Sequence, residues 1–585
     1  MPLETSLPTL VEREATRPHP GLRRRRDAPR VDAVFPARRR DGETAQRRDG
    51  RRLRERTIRS LPRLHDRHRS RGRPVTLPPR IPSSAKAADG TRGTPTRRTV
   101  LRGSLSAAAV AGTAGAAVVG TARAAHANDA PPGEADPAGD TSMTRHWRSR
   151  LATLAGRHEV PGAALGILVG DRIVKVATGL ANADDRIEAT PDTLWQIGSI
   201  TKVWTATLAM RLVDEGSVDL DTPVVRYLPE LRLPDPDRTR RLTLRHLLAH
   251  TSGIDGDVLP DTGRGDDCLE RFTALLKDVP AVHPLGRACS YCNVGLILTG
   301  RLIERRTGTT WDAALRERVI RPLGLTRSHT LPEDVLAHRA AAGHTSGPDG
   351  RPRVDPTWIP RSSGPAGIVC SSVGDVLAFV RLHLDDGLGP DGTRLLSARA
   401  AEEMRSFRTA TPNTPDNGET RGLGWARWDW NGRAVYGHDG RTQGQSSYLR
   451  VLPDARIAVV LLTNGGDAQA LYHDLYREVF TDLAGVAPRP PHTPDGTKPP
   501  HDAGGYLGRY QRVGVLEEIL ERGGALFLRR TFTGGTPDEF ELHPAGRDLY
   551  VHRLPGVRDW EPLKCFTLDG TRYVCQSDRV LPRIP

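Results

Sequence analysis

Leu194-Trp195-Gln196-Ile197-Gly198-Ser199-Ile200-Thr201-Lys202 is the stretch on which the reading of this 585-residue chain turns. An apolar approach passes through a glycine into a long apolar segment closed by Gly216, which predicts a largely buried helix over residues 199–215. Positions i and i+3 share a helix face, so the Ser199 hydroxyl and the Lys202 amine can meet. Serine is a poor nucleophile until a base removes its proton. A lysine inside an apolar helix is desolvated, which disfavours its charged form. Gly198 permits a tight entry, and the N–H groups of the first turn can stabilise negative charge beside the serine. The S-x-x-K spacing alone is weak, because Ser83-Ser84-Ala85-Lys86 has it too, in a stretch with no apolar pattern. Setting separates the two. Lysine is also scarce, supplying 6 of 85 basic residues, and arginine cannot give up its proton, so a lysine placed here is informative. The plain alternative is a lysine that snorkels to the surface.

Working outward, residues 145–157 read as a helix, and 164–169 with 172–177, joined by Gly170-Asp171, as a β-hairpin. A second hairpin, 445–452 with 456–462 across Pro453-Asp454, closes the same region, and a helix covers 244–250. Strand pairs at both ends with helices between them predict an α+β fold, an antiparallel sheet flanked by helices plus a helical subdomain. Residues 143–487 form this unit. A Pro-rich linker, 488–504, leads to 505–585, whose short β-type runs and turn residues predict a separate small all-β domain, a barrel or sandwich.

Two further groups carry chemistry. Tyr291-Cys292-Asn293 is the one Y-x-N among ten tyrosines. A phenol can relay a proton where cationic charge favours its phenolate, and an Asn amide can donate to one group and accept from another. The alternative is a loop tyrosine bonded to a backbone carbonyl. His438-Asp439-Gly440 precedes the second hairpin. A strand edge there can pair with a bound peptide backbone, Gly440 lets that backbone approach, and His438 can bond the substrate or hold a Tyr–Lys proton network. The alternative is a turn, because Asp-Gly is a common turn pair.

The order S-x-x-K, Y-x-N, H-x-G resembles the penicillin-recognising serine hydrolases: class C β-lactamases, D-alanyl-D-alanine carboxypeptidases, D-aminopeptidases and related esterases. Leu247-Leu248-Ala249-His250-Thr251-Ser252-Gly253 looks like their "LLxHTSG" segment, and Gly364-Pro365-Ala366-Gly367 with Ser371 to Asp375 like their "PAGG…S…D" stretch. Gly422-Leu423-Gly424-Trp425 and Gly444 also fit, so the resemblance covers about residues 143–485. It implies that Ser199 forms an acyl-enzyme, that Lys202 and Tyr291 share the proton traffic, and that Asn293 binds the substrate amide. It also implies an oxyanion hole from the backbone N–H groups of Ser199 and Arg441, with His438 and Gly440 lining the substrate groove. His438 stands where class C β-lactamases usually have Lys, which points toward carboxypeptidases and D-aminopeptidases. Cys292 stands where Ser is common.

The net charge of +15 is misleading. Residues 1–127 carry 29 basic and 11 acidic side chains, leaving 56 and 59 for the rest, so the basic character is local. Residues 1–95 bury too little apolar surface to fold, and a nucleic-acid role for the whole chain loses its support. Thr96-Arg97-Arg98, an apolar stretch from Leu105 to Val119 and Ala125-His126-Ala127 read as a twin-arginine export signal over 96–127, followed by a linker, 128–142. A signal so far into the chain suggests a true start nearer Val75. Export permits disulfides: Cys565–Cys575 across a hairpin, or Cys268 with Cys289 or Cys292. The Cys289-x-x-Cys292 spacing lacks the second half of a zinc site. Gly387 to Gly392 matches G-x-G-x-x-G but contains Pro390 and reads as a turn. No G-x-S-x-G occurs, which argues against an α/β-hydrolase. His158-Glu159 lacks a zincin's second His, and His246 with His250, short of a third ligand, read as structural.

The expectation is a secreted serine hydrolase without cofactor or metal. Its first-choice substrate is a D-amino-acid peptide, then an ester, then a β-lactam, with no nucleic-acid partner and no stable membrane span. The competing class is an inactive cell-wall peptide-binding protein.

Overall fold

The computed structural model describes residues 141–585 except 348–349, 413–417, 498–502 and 556. The basic segment, its S-x-x-K at Ser83, the twin-arginine pattern, Val75 and residues 128–140 of the linker lie outside the described residues.

Helix α1, Ser142–Arg157, is capped by the Thr141 hydroxyl, which accepts from the Thr144 amide at 3.2 Å. The first hairpin, β1 (Gly162–Val169) and β2 (Arg172–Asn182), continues into the short β3 (Ile187–Glu188). The same sheet later takes up β4 (Thr409–Ala410), β5 (Thr420–Arg421), β6 (Ala426–Trp430), β7 (Arg433–Thr442), β8 (Gln445–Leu452) and β9 (Ile457–Thr463). Its order is β3-β2-β1-β9-β8-β7-β6-β5-β4, with every pair antiparallel, so the first and last long strands lie side by side as its third and fourth strands.

Both faces of this sheet are covered. Ala163, Leu165 and Ile167 of β1 pack with Val459 and Leu461 of β9 against α1 and α5, Ala468–Ala484. Ala164 and Leu168 face the other way with Val460 and Leu462, toward α2 (Thr201–Asp214), α3 (Asn293–Thr307) and α4 (Val373–Leu384). The period-2 alternation of strands thus serves two apolar layers, and β1 is buried along nearly its whole length. A side-chain carbon on Gly166 would sit 3.0 Å from both Leu377 and Val460, so this glycine sets how closely α4 lies on the sheet. The expected α+β architecture is therefore the observed one.

The C-terminal part is a closed eight-stranded antiparallel barrel, with neighbouring strands joined in chain order. Its strands are β10 (Gly508–Arg512), β11 (Val515–Arg522), β12 (Ala525–Phe532), β13 (Asp538–Gly546), β14 (Leu549–His552), β15 (Glu561–Leu568), β16 (Thr571–Gln576) and β17 (Arg579–Ile584). Closure removes the exposed edges that a sandwich would have to protect.

The anticipated disulfides are not formed, and all six cysteines are buried. Register explains one pair. Cys565 opposes Val574 while Cys575 opposes Lys564, so the two thiols project from opposite faces of the barrel wall. Cys565 packs in the barrel core and Cys575 in a separate cluster with Tyr573 and Val580. Residues 387–392 do form a turn, closed by the Gly389 amide donating to the Thr393 carbonyl at 2.7 Å. Among the described residues no helix is long and apolar enough to cross a membrane.

Candidate active site

Ser199 lies in a single 3-10 turn, Gly198–Ile200, that leads directly into α2, so the α-helix begins two residues later than expected. Lys202, in the first turn of α2, is fully buried. Its Nζ is 2.8 Å from Ser199 Oγ and donates to the Ala366 carbonyl oxygen at 2.7 Å. The snorkelling alternative is thereby excluded. The segment around Ala366 is tied to the same helix: Thr205 Oγ1 donates to the Pro365 carbonyl at 2.7 Å, and the Val369 amide donates to Thr201 Oγ1 at 3.1 Å. The approach to Ser199 is held from β8, where Gln445 Oε1 accepts from the Gln196 amide at 3.0 Å and Ser447 Oγ donates to the Ile197 carbonyl at 2.8 Å.

His438-Asp439-Gly440 is not a turn. It lies inside β7, with Asp439 opposite Tyr448 of β8, and its carboxylate holds the buried Arg450 guanidinium through bonds of 2.5 and 3.0 Å. On the other side β6 pairs with β7 only as far as Gly437, so no strand among the described residues covers 438–442 there. That open edge faces the Ser199 turn. A side-chain carbon on Gly440 would lie 2.0 Å from the Ile197 carbonyl oxygen and 2.8 Å from the Ser199 amide nitrogen. One on Gly198, itself at φ +50°, would lie 2.5 Å from the Arg441 amide nitrogen. The Ser199 and Arg441 amides therefore border one gap, which two side-chain-free residues keep open. Gly440→Ala is expected to lower the rate of Ser199 acylation by about 10²–10³, the usual effect of losing one such amide. Stopped-flow labelling with a fluorescent penicillin measures it, and an unchanged rate would remove the gap from the chemistry.

Tyr291 stands beside this pair with its ring centroid 4.8 Å from Lys202 Nζ. His250 stacks on the ring at 4.7 Å between centroids, and the His438 ring lies 6.0 Å away. His250 has left-handed φ, +58°, uncommon for a residue with a side chain, and its Nδ1 accepts from the Cys292 amide at 3.1 Å. His246, by contrast, caps its own short helix, with Nδ1 accepting from the Thr243 amide at 3.2 Å. Cys292 caps α3: its Sγ accepts from the Gly295 amide at 3.3 Å, the task a serine hydroxyl performs at a helix start.

Burial, together with Lys202 and Arg421 nearby, holds the His438 imidazole well below its usual pKa. Burial and Arg421 do the same for His250. Both rings are neutral at physiological pH. His438 Nδ1 donates to the Asp439 carbonyl at 2.6 Å, which leaves Nε2 as a buried acceptor without a partner among the described residues.

Several residues here were not found from sequence. Asn293 Nδ2 donates to Asp257 Oδ1 at 2.9 Å. Asp257 also takes Arg579 Nε at 3.0 Å and Arg512 Nη1 at 3.2 Å, both from the barrel. The Arg579 guanidinium lies 4.6 Å from the Tyr291 ring centroid. The Tyr291 amide donates to the Asp578 carbonyl at 2.7 Å, and the Asp578 carboxylate pairs with buried Arg421 of β5 at 2.6 Å. The β16–β17 hairpin thus reaches the Y-x-N motif. Its two turn residues, Ser577 and Asp578, have φ of +48° and +64°, as a tight two-residue hairpin turn requires. One sequence signal existed, the Ser577-Asp578 pair between two β-type runs, but nothing in it said where the tip would go.

The two-layered sheet, the serine–lysine contact and the glycine-lined gap define a serine hydrolase site. The Beta-lactamase family model matches residues 147–480, and the chain belongs to that family. Penicillin-binding protein 4 of Amycolatopsis lactamdurans is 44% identical over 372 residues, 63% of this chain and 98% of that protein. Among solved structures, SurE superposes with a TM-score of 0.65 at 29% identity, covering 76% of this chain and 99% of its own. The octameric penicillin-binding protein homologue from Pyrococcus abyssi shares the fold with a TM-score of 0.52 at 23% identity, covering 76% of this chain and 100% of its own.

Proposed function

We propose that this chain hydrolyses a D-amino-acid amide or peptide through an acyl-enzyme on Ser199. The observation that carries the reading is the buried Lys202 amine, 2.8 Å from the Ser199 hydroxyl, beside a gap bordered by the Ser199 and Arg441 amides. Ser199 Oγ attacks the substrate carbonyl carbon, and the charge that develops on the carbonyl oxygen rests on those two amides. Lys202 and Tyr291 carry the hydroxyl proton to the leaving amine as the C–N bond breaks. Water then attacks the acyl-serine, the acid leaves and Ser199 regains its proton. The open edge at 438–442 offers a bound peptide backbone a strand partner, with the His438 acceptor beside it.

Two points favour D-amino-acid substrates over β-lactams. His438 is neutral, so it supplies no cation at the position where class C β-lactamases usually have Lys. SurE has also been solved with D-Leu, at a TM-score of 0.64 and 28% identity. The serine–lysine contact weighs against an idle binding protein. The test is a panel of D-amino-acid amide, its L-isomer, a D-Ala-D-Ala peptide, a p-nitrophenyl ester and a chromogenic cephalosporin. Hydrolysis of a D-amide or D-peptide at least tenfold faster than the L-amide and the cephalosporin is expected. Faster cephalosporin turnover would replace the reading with a β-lactamase.

The Thr96-Arg97-Arg98 pattern supports export. Protein recovered from culture medium should begin just after Ala127, and a product confined to the cytoplasm would refute export.

A further inference from the structure

The barrel touches the hydrolase part through the side chain that orients Asn293. Asp257 is buried in the loop after the Thr251-Ser252-Gly253 segment, and its two oxygens take donors from three side chains. Asn293 Nδ2 reaches Oδ1 at 2.9 Å. Arg579, at the start of β17, reaches Oδ2 through Nε at 3.0 Å and Oδ1 through Nη2 at 3.3 Å. Arg512, at the end of β10, reaches Oδ2 at 3.2 Å. Backbone bonds lock the same seam: the Val513 amide donates to Asp255 Oδ2 at 2.7 Å, and the Val580 amide to Ser290 Oγ at 3.1 Å. Burial alone would raise the Asp257 pKa, but Arg579 and Arg512 hold it down at about 2. An ionised carboxylate only accepts hydrogen bonds, so the end of the Asn293 amide that faces it is the NH2 end. That bond uses one of the two N–H groups of the Asn293 amide and fixes the plane in which its second N–H and its oxygen lie.

We propose that Arg579 and Arg512 of the barrel are positioning residues that clamp Asp257 and, through it, fix the orientation of the Asn293 amide that meets the substrate. The catalytic cleft is then completed by two parts of the chain, and the barrel belongs to the enzyme's working machinery. This rests on the reading of Ser199 and Asn293 as one substrate cleft. The clamp acts on amide recognition, and the Arg579 charge, 4.6 Å from the Tyr291 ring centroid, adds a smaller effect on proton transfer that the labelling rate reads separately. It therefore matters most for substrates whose own amide meets Asn293, and less for a reagent that has none.

The test compares Arg579→Gln, Arg512→Gln, Asp257→Asn and the Arg579→Gln/Asp257→Asn double variant in the full chain. Each is assayed by kcat/KM on the best amide of the panel and by the rate of Ser199 labelling with a fluorophosphonate, which carries no amide. A misplaced binding group costs on the order of 10²-fold. Arg579→Gln and Asp257→Asn should lose ~10–100-fold on the amide, at least tenfold more than each loses in labelling. Arg512→Gln, which leaves the Arg579 contact in place, should show the same selectivity at smaller size. The double variant should lose no more than the worse single variant, because both changes cut one chain of contacts. Multiplying losses, or equal losses on amide and fluorophosphonate, would overturn the clamp. If the wild-type chain labels at Ser199 but hydrolyses no amide, the proposed function fails, and the clamp is decided by crystallography. Asn293 in Arg579→Gln should then turn away from Asp257, and an unmoved Asn293 would overturn it.

Discussion

Ser199→Ala should lose all covalent labelling by fluorophosphonate or fluorescent penicillin, and its turnover should fall by about 10⁶-fold, the scale seen when a serine nucleophile is removed. The change deletes one oxygen from a buried site, where Ser199 Oγ accepts from Lys202 Nζ. The fold and melting temperature should therefore stay near those of the parent. Intact-mass spectrometry after incubation with the probe reads the result directly. A variant that still gains the probe's mass in the cleft would mean that another residue is the nucleophile.

Lys202→Arg is expected to reduce acylation by about 10⁴-fold, the upper range for a general acid–base group. The positive charge stays, so an electrostatic role alone would survive the change. A guanidinium cannot accept the serine proton in a protein. Lys202 is sealed from solvent and fixed between Ser199 and the Ala366 carbonyl, so water has little access to replace it. Single-turnover labelling, followed with the melting temperature, separates lost chemistry from lost fold. Acylation within tenfold of the parent would refute the proton-transfer role.

The parts of the site that were legible in sequence are those written within one turn or one strand. Ser199 and Lys202 are three residues apart across a 3-10 turn and the first turn of α2, and Tyr291 and Asn293 bracket a helix cap, so local spacing already carried their proximity. His438 and Gly440 were readable as a strand edge, although Asp-Gly also suggested a turn. The turn lost because Asp439 is held in the ladder by Tyr448 and by the buried Arg450. The barrel was legible as short β runs, but its closure was not, because closure depends on the pairing of β10 with β17 across the whole unit. Asp257, Arg579, Asp578 and Arg421 stayed hidden for a different reason. They meet only when the barrel docks, and in a chain so rich in arginine neither Arg421 nor Arg579 stands out by type. The Cys565–Cys575 expectation failed on strand register, which composition does not encode.

The Arg421–Asp578 pair, buried at 3% and 2% exposure, also bears on inheritance. An unpaired charge left in such a place costs about 3–5 kcal/mol. A barrel brought in without an acid at the Asp578 position would leave Arg421 buried and unpaired, and a hydrolase part without Arg421 would leave Asp578 so. An exchange of either part is therefore tolerated only by a partner that brings the matching side chain, despite the linker between them.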